Sequence, residues 1–197
     1  MAFFIHQYEE PIFQTFENSK RHITRTCYLD LNDNLRTKLF KNTQTILRTF
    51  NKNGEIFPFH MEWFYDGKDI IFCEAASRFG GKIGQLIKST YSFDIYEAYW
   101  NLVLNNGVST SVDLHSILKP KKISFNYSAY LNEGTLTHIP DMGADIKMKA
   151  KINEKYMQSA NIQQNAFETY KSVESESEYR KSISELDRLN QSLIYQK

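Results

Sequence analysis

From Phe59 to Gly81 the sequence reads FHMEWFYDGKDIIFCEAASRFGG. Two apolar runs flank Tyr65-Asp66-Gly67-Lys68, and Asp-Gly between such runs is a strong short-range hairpin signal. The expectation is a strand over 57–64, a turn over 65–68 and a second strand over 69–75, followed by a loop at Arg78-Phe79-Gly80-Gly81. Side chains alternate between the two faces of a strand. His60, Glu62 and Phe64 then share one face of the first strand, and Ile70, Phe72, Glu74 and Ala76 one face of the second. A loop of Asp66 to Lys68 would pair Tyr65 with Asp69, His60 with Glu74 and Glu62 with Phe72. Glu62 and Glu74 become diagonal neighbours, roughly 7–8 Å apart on one face.

Two carboxylates placed this way repel one another unless something positive lies between them. A hard divalent cation suits the position, because Mg²⁺ takes one or two protein carboxylates and fills its shell with water and nucleotide phosphates. The spacing alone also permits two solvent-facing acids on a hairpin exposed on one side. Glu74, however, lies in the apolar run Ile70 to Ala76, and unpaired carboxylates are seldom buried. Arg78 follows just past the strand end, where a guanidinium can hold a carboxylate or phosphate through two parallel hydrogen bonds. Gly80 and Gly81 would let the backbone approach a ligand. His60 reads as a structural or supporting residue, since Mg²⁺ prefers oxygen. Cys73, on the opposite face, reads as core.

Outward from the hairpin, Leu35, Leu39, Thr43, Ile46, Leu47 and Phe50 recur at helical spacing after Asp30 to Asp33, so a helix is expected over 33–50. Asn51-Lys52-Asn53-Gly54 ends it. A second helix is expected over 93–105, stopped by Gly107. Residues 3–16, 22–29, 123–131, 135–139, 146–152 and 166–173 read as strands. Ser175-Glu176-Ser177-Glu178 matches a capping box opening a C-terminal helix marked by Tyr179, Ile183, Leu186 and Leu193. Interspersed helices and antiparallel strands make the class α+β.

The 197 residues, 41% hydrophobic and 24% charged, have ordinary globular composition and can bury a core. A formal charge of +1 gives no reason to expect a nucleic-acid or membrane surface. The clusters Lys20-Arg21 and Lys119-Pro120-Lys121-Lys122 read as solvated loop charges. No apolar run approaches the roughly 20 residues of a membrane helix. The opening MAFFIHQYEE lacks the basic start and apolar stretch of a secretory signal. Cys27 and Cys73 make no disulfide framework and no zinc pattern, and the expected setting is cytoplasmic.

An acid on one strand, a short turn and then Glu-x-x-x-Arg at the end of the next strand resembles the ATP-grasp superfamily, whose usual form is Glu-x-Asn-x-Arg. Here Glu62, Glu74 and Arg78 match, Ala76 stands at the asparagine position, and Arg78-Phe79-Gly80-Gly81 is similar to the amino-acid ligase and carboxylate–amine ligase branches. The resemblance is specific over roughly residues 30–107. It implies a partial ATP-grasp domain over 1–107, with its metal hairpin at 56–81, and a C-terminal α+β extension over 108–197. It implies ATP as co-substrate, Mg²⁺ or Mn²⁺ held by Glu62 and Glu74, and Arg78 steadying a small carboxylate substrate or its acylphosphate. Gly80 and Gly81 would border that pocket. The family's phosphate-gripping lysines, small glycine loop and adenine hinge precede the metal hairpin, and nothing ahead of Glu62 matches them. The expectation is that a longer frame, or a partner carrying the missing lobe or a second subunit, supplies the rest. A non-catalytic remnant or interaction module that keeps the fold is the alternative, and an unrelated α+β binding domain is a third reading.

Overall fold

The computed structural model describes residues 3–18, 20–27, 33–105 and 122–197. In chain order the elements are β1 (His6–Tyr8), α1 (Ile12–Glu17), β2 (Arg21–Thr26), α2 (Asn34–Phe50), β3 (His60–Tyr65), β4 (Ile70–Ala76), α3 (Ile83–Tyr91) and α4 (Ile95–Leu104). They continue with β5 (Ile123–Tyr130), β6 (Gly134–His138), β7 (Lys147–Met148), β8 (Lys155–Tyr156), β9 (Asn165–Val173), α5 (Glu176–Gln191) and β10 (Ile194–Gln196). All pairings among the described residues are antiparallel, and the α+β class holds.

These elements form two units that interleave along the chain. One lies within Met1–Ile5 and Tyr28–Lys119, the other within His6–Cys27 and Pro120–Lys197. The interleaving follows from β2, which pairs with β5 from Arg21↔Ala129 to Arg25↔Phe125. Backbone donors and acceptors must be paired when buried, and β2 finds its partners far along the chain.

The second unit holds a sheet of order β1-β2-β5-β9-β7 and a smaller one of order β10-β6-β8. Its core joins Ile23, Phe125, Tyr127, Ala129 and Phe167 of the large sheet to Tyr179, Ile183 and Leu186 of α5. Burying each such side chain is worth about 1.5–3 kcal/mol. Ser175 caps α5 by accepting from the Glu178 backbone N–H at 3.2 Å. The Glu178 carboxylate reaches back one residue further than a capping box requires, to the Glu174 N–H at 2.9 Å. Tyr127, fully buried, donates to Asp187 at 2.8 Å, and burial pushes its phenol pKa well up. Where 3–16 reads as a strand, Pro11 ends extended backbone after β1, and α1 follows with Phe16 stacked on Tyr130 at 4.6 Å.

The first unit holds α2, α3, α4 and the β3–β4 hairpin. Asp33 caps α2 by accepting from the backbone of Leu35 and Arg36 at 2.7 and 3.2 Å. Leu39 and Thr43 bury as the periodicity implies, whereas Phe50 at the last turn is 78% exposed. The expected helix over 93–105 is α4, capped by Asp94, and Gly107 lies outside the described residues. Helix α3 precedes it, unread in the sequence, and buries Gly84, Leu86, Ile87 and Thr90. Helix α4 buries no residue at all, and its Trp100 and Leu104 are exposed. No described helix is long and apolar enough to cross a membrane.

Candidate metal centre on the hairpin

The turn between β3 and β4 is built by its own side chains. The Asp66 carboxylate accepts from the backbone N–H of Asp69 at 2.7 Å and of Lys68 at 2.9 Å. Those bonds, Asp69's first, hold the exposed Asp66 carboxyl below the usual range. Gly67 takes φ +99°, open to glycine and strained for other residues. Asp66 is thus spent locally, and Asp94 pairs with Lys88 at 2.9 Å while capping α4.

The register differs from the sequence expectation in one instructive way. Tyr65 pairs with Ile70 rather than Asp69, so the loop spans 66–69. Trp63 pairs with Phe72, but Glu62 pairs with Glu74. Cys73 is therefore the extra residue of a β-bulge, which bends the strand and leaves one residue unpaired. Residues paired across a ladder share a face, and neighbours along β3 do not. Glu74 consequently joins Glu62 and His60 on one face, while Phe72 turns to the other with Trp63, the rings meeting edge-on at 5.2 Å. The expected grouping of Phe72 with Glu74 is corrected, and Glu62 and Glu74 are direct rather than diagonal partners. Cys73, expected in the core, is an exposed free thiol.

Like charges directly opposite one another destabilise a ladder by a few tenths to about 1 kcal/mol. His60, Glu62 and Glu74 present one ligand-capable atom each, all within 4.8 Å of one another. Glu62 is half-buried and Glu74 exposed. His60 Nε2 stands 3.9 Å from Glu62 Oε1, its side chain only 14% exposed. Burial, the largest influence, lowers the His60 pKa, opposed by Glu62 and aided by Arg78. The ring is therefore neutral near pH 7, and its contact with Glu62 is not an ion pair there. The donor set of two carboxylate oxygens beside an imidazole fits a divalent cation, and the repelling pair gains most from one.

The loop after β4 is fastened by rings and glycines. Phe79 meets Tyr96 and Tyr99 of α4 edge-on at 4.8 and 5.4 Å. Gly80 lies against His60, since a Cβ there would come within 2.7 Å of the ring's Cδ2. Gly81 has nothing within 4 Å of such a Cβ, so of the two glycines only Gly80 is demanded by space. Arg78 is exposed and donates to the Phe79 carbonyl at 3.1 Å. Among the described residues it forms no ion pair with Asp66 or Asp94, the acids nearest in sequence. Sequence reasoning placed His60 on the acidic face but gave it no part in binding. It did not foresee the Phe79 anchor, whose signal is the aromatic spacing of Tyr96, Tyr99 and Trp100.

A polar cavity of about 370 Å³ lies in the second unit, lined by Lys20, Arg21, Asn132, Asp187 and Asn190 among others. It includes none of the hairpin residues, and its Arg21 is already paired with Asp187 and Glu9 at 2.6 and 3.1 Å.

No family model matches the sequence, and no curated protein matches it. Solved structures do. The chain is similar to an L-amino acid ligase from Bacillus licheniformis, with TM-score 0.65 and 15% identity over 90% of this chain and 44% of that one. It is similar to a phosphoribosylglycinamide synthetase from Anaerococcus prevotii, with TM-score 0.60 and 14% identity over 89% of this chain and 44% of that one. A biotin carboxylase from Campylobacter jejuni, solved as a beta-gamma-ATP complex, gives TM-score 0.52 and 17% identity over 89% of this chain and 42% of that one. The chain thus spans less than half the length of these proteins, and at such identities the likeness is one of fold.

Proposed function

We propose, from the premise that the fold is that of an ATP-grasp domain over part of its length, that this chain supplies the metal-binding part of an ATP-dependent carboxylate–amine ligase. The observation that carries the reading is the direct pairing of Glu62 with Glu74 on a bulged hairpin of that fold. Glu62 and Glu74 would hold Mg²⁺ or Mn²⁺. When bound, the ion supplies charge neutralisation to the β- and γ-phosphates of ATP. In such a ligase the γ-phosphoryl passes to a carboxylate, and an amine then displaces phosphate from the acylphosphate. The chain's own contribution is positioning and charge. The exposed fork of Arg78 is set to grip a small carboxylate through two hydrogen bonds. Phe79, pinned to α4, holds Gly80 and Gly81 as the border beside it.

A second reading, a non-catalytic interaction module with the same fold, is favoured by the unburied face of α4. One experiment separates the two. The chain is combined with the remaining part of the fold, from a longer frame or a separate polypeptide, and offered a panel of amino and other small carboxylic acids with ATP. Acylphosphate is trapped by hydroxylamine. Hydroxamate formation that requires Glu74 supports the ligase. ATP-independent behaviour, or equal yields from Glu74→Gln, supports the interaction module.

A further inference from the structure

We propose, on the reading that the hairpin holds a divalent cation, that His60 is a third ligand of that ion and tilts the site from Mg²⁺ toward Mn²⁺. The placement comes first. Its ring nitrogen and the two carboxylates already lie within 4.8 Å of one another. Donors sharing one ion at about 2.0–2.2 Å stand at most roughly 4.3 Å apart. Closure therefore asks for a small rotation, and Glu74, exposed at the bulge, is the side chain able to make it.

The ring is also held in place and incompletely satisfied. Gly80 packs against its Cδ2–Nε2 edge, so the imidazole cannot swing toward the loop. The nitrogen that faces the carboxylates is Nε2, 3.9 Å from Glu62 Oε1 and beyond hydrogen-bond reach, while Nδ1, the other ring nitrogen, is buried without a hydrogen-bond partner among the described residues. Buried ring nitrogens are nearly always paired. Across the ladder His60 faces Ala76, whose methyl group offers no donor, so no side chain of β4 competes for that position. A shell of three protein ligands including nitrogen departs from what Mg²⁺ favours, namely oxygen ligands and several retained waters. Along the first-row series a nitrogen donor binds transition ions more strongly, and Mn²⁺ combines that with tolerance of carboxylate. Without a metal role, His60 would be a packing residue behind Gly80.

The test uses the full 197-residue chain with Mn²⁺ alone as probe, read by pulsed electron paramagnetic resonance. The expected spectrum shows nitrogen coupling from a directly bound imidazole, absent in His60→Phe and altered by isotopic labelling of histidine. In competition, the Mn²⁺-over-Mg²⁺ preference should fall about tenfold in His60→Phe. The labelled wild-type spectrum decides the matter even if that variant folds poorly. Mn²⁺ binding that is lost in Glu74→Gln but shows no imidazole coupling would overturn the role of His60 and leave the carboxylate site standing. No binding, or equal binding to the Glu62→Gln, Glu74→Gln double variant, would overturn the site itself and this inference with it.

Discussion

Replacing Gly80 by alanine probes the joint between the loop and the site. A Cβ there would lie 2.7 Å from His60 Cδ2 and 3.1 Å from His60 Nε2, with Ile83 Cδ1 closer still. Ordinary contact begins near 3.4 Å, so the ring must retreat by roughly 0.7 Å, the difference from 2.7 Å. Overpacking of this kind costs about 1–3 kcal/mol. Metal ligation tolerates displacements of only about 0.2 Å, so Mn²⁺ affinity should fall tenfold or more. Gly81→Ala is the internal control. Nothing lies within 4 Å of its Cβ, and neither glycine has a positive φ. Its effect on stability should stay within about 0.5 kcal/mol of neutral, or be mildly stabilising through the unfolded chain. Thermal unfolding and calorimetric Mn²⁺ titration read both variants. If Gly80→Ala melts and binds like the wild type, or Gly81→Ala is the more damaging, the packing argument is wrong.

Glu74→Gln removes one of two facing charges, so the metal-free protein should melt at the same temperature or slightly higher, by an equivalent of about 0.2–1 kcal/mol; a clear loss of stability would mean the pair is already compensated. Tyr127→Phe deletes the buried hydrogen bond to Asp187 and should cost about 0.5–1.5 kcal/mol in urea titration, leaving metal binding unchanged. Glu176 has its pKa lowered, first by its hydrogen bond from Arg25; a depressed carboxylate contributes stability above its unfolded pKa, near 4.5, and loses it as pH falls through the folded value. Arg25→Gln should therefore flatten the acid limb of the stability profile below that pH, an effect small because Glu176 is half exposed. Arg78→Lys, in the proposed ligase assembled with the rest of that fold, should depress turnover while leaving the melting temperature unchanged; the reverse pattern would make Arg78 structural.

The elements legible in the sequence are those with local signals. Asp33 capping α2, Asp94 capping α4 and Ser175 capping α5 each accept from backbone N–H groups within their own first turn. The hairpin was legible for the same reason, since Asp66-Gly67 lies between its two strands. What escaped depended on distant partners. Strand β2 belongs with β5, about a hundred residues away, because the pairing Ser124 N–H to Thr26 Oγ1 and its ladder neighbours are non-local. Helix α3 escaped because it starts on Lys82 in the left-handed region with no side-chain cap, and because Gly84 is chosen for the Tyr96 ring above it rather than for helix propensity.

The register of the hairpin shows how a small irregularity decides chemistry. Strict alternation from a regular turn gives Glu62 opposite Phe72, a ladder in which an acid faces an aromatic ring and the second acid lies diagonally off. The observed loop is one residue longer, which by itself would flip β4 and carry Glu74 to the face away from Glu62. The bulge at Cys73 adds the compensating residue. It returns Glu74 and Ala76 to the face of Glu62 and His60, and leaves Phe72 to pack on Trp63 behind them. A hairpin under selection only for stability would have little use for an unpaired exposed cysteine or for two acids brought face to face. The bulge gives up one ladder position and accepts a like-charge pair, and its product is a cluster of three metal-capable side chains backed by Gly80. Deleting Cys73 therefore offers a test: Glu74 then follows Phe72 directly and still pairs with Glu62, now without a bulge, so stability should be kept or raised and Mn²⁺ binding should survive. Loss of Mn²⁺ binding in that deletion would show that the face-to-face register of Glu62 and Glu74 is not enough to set the site.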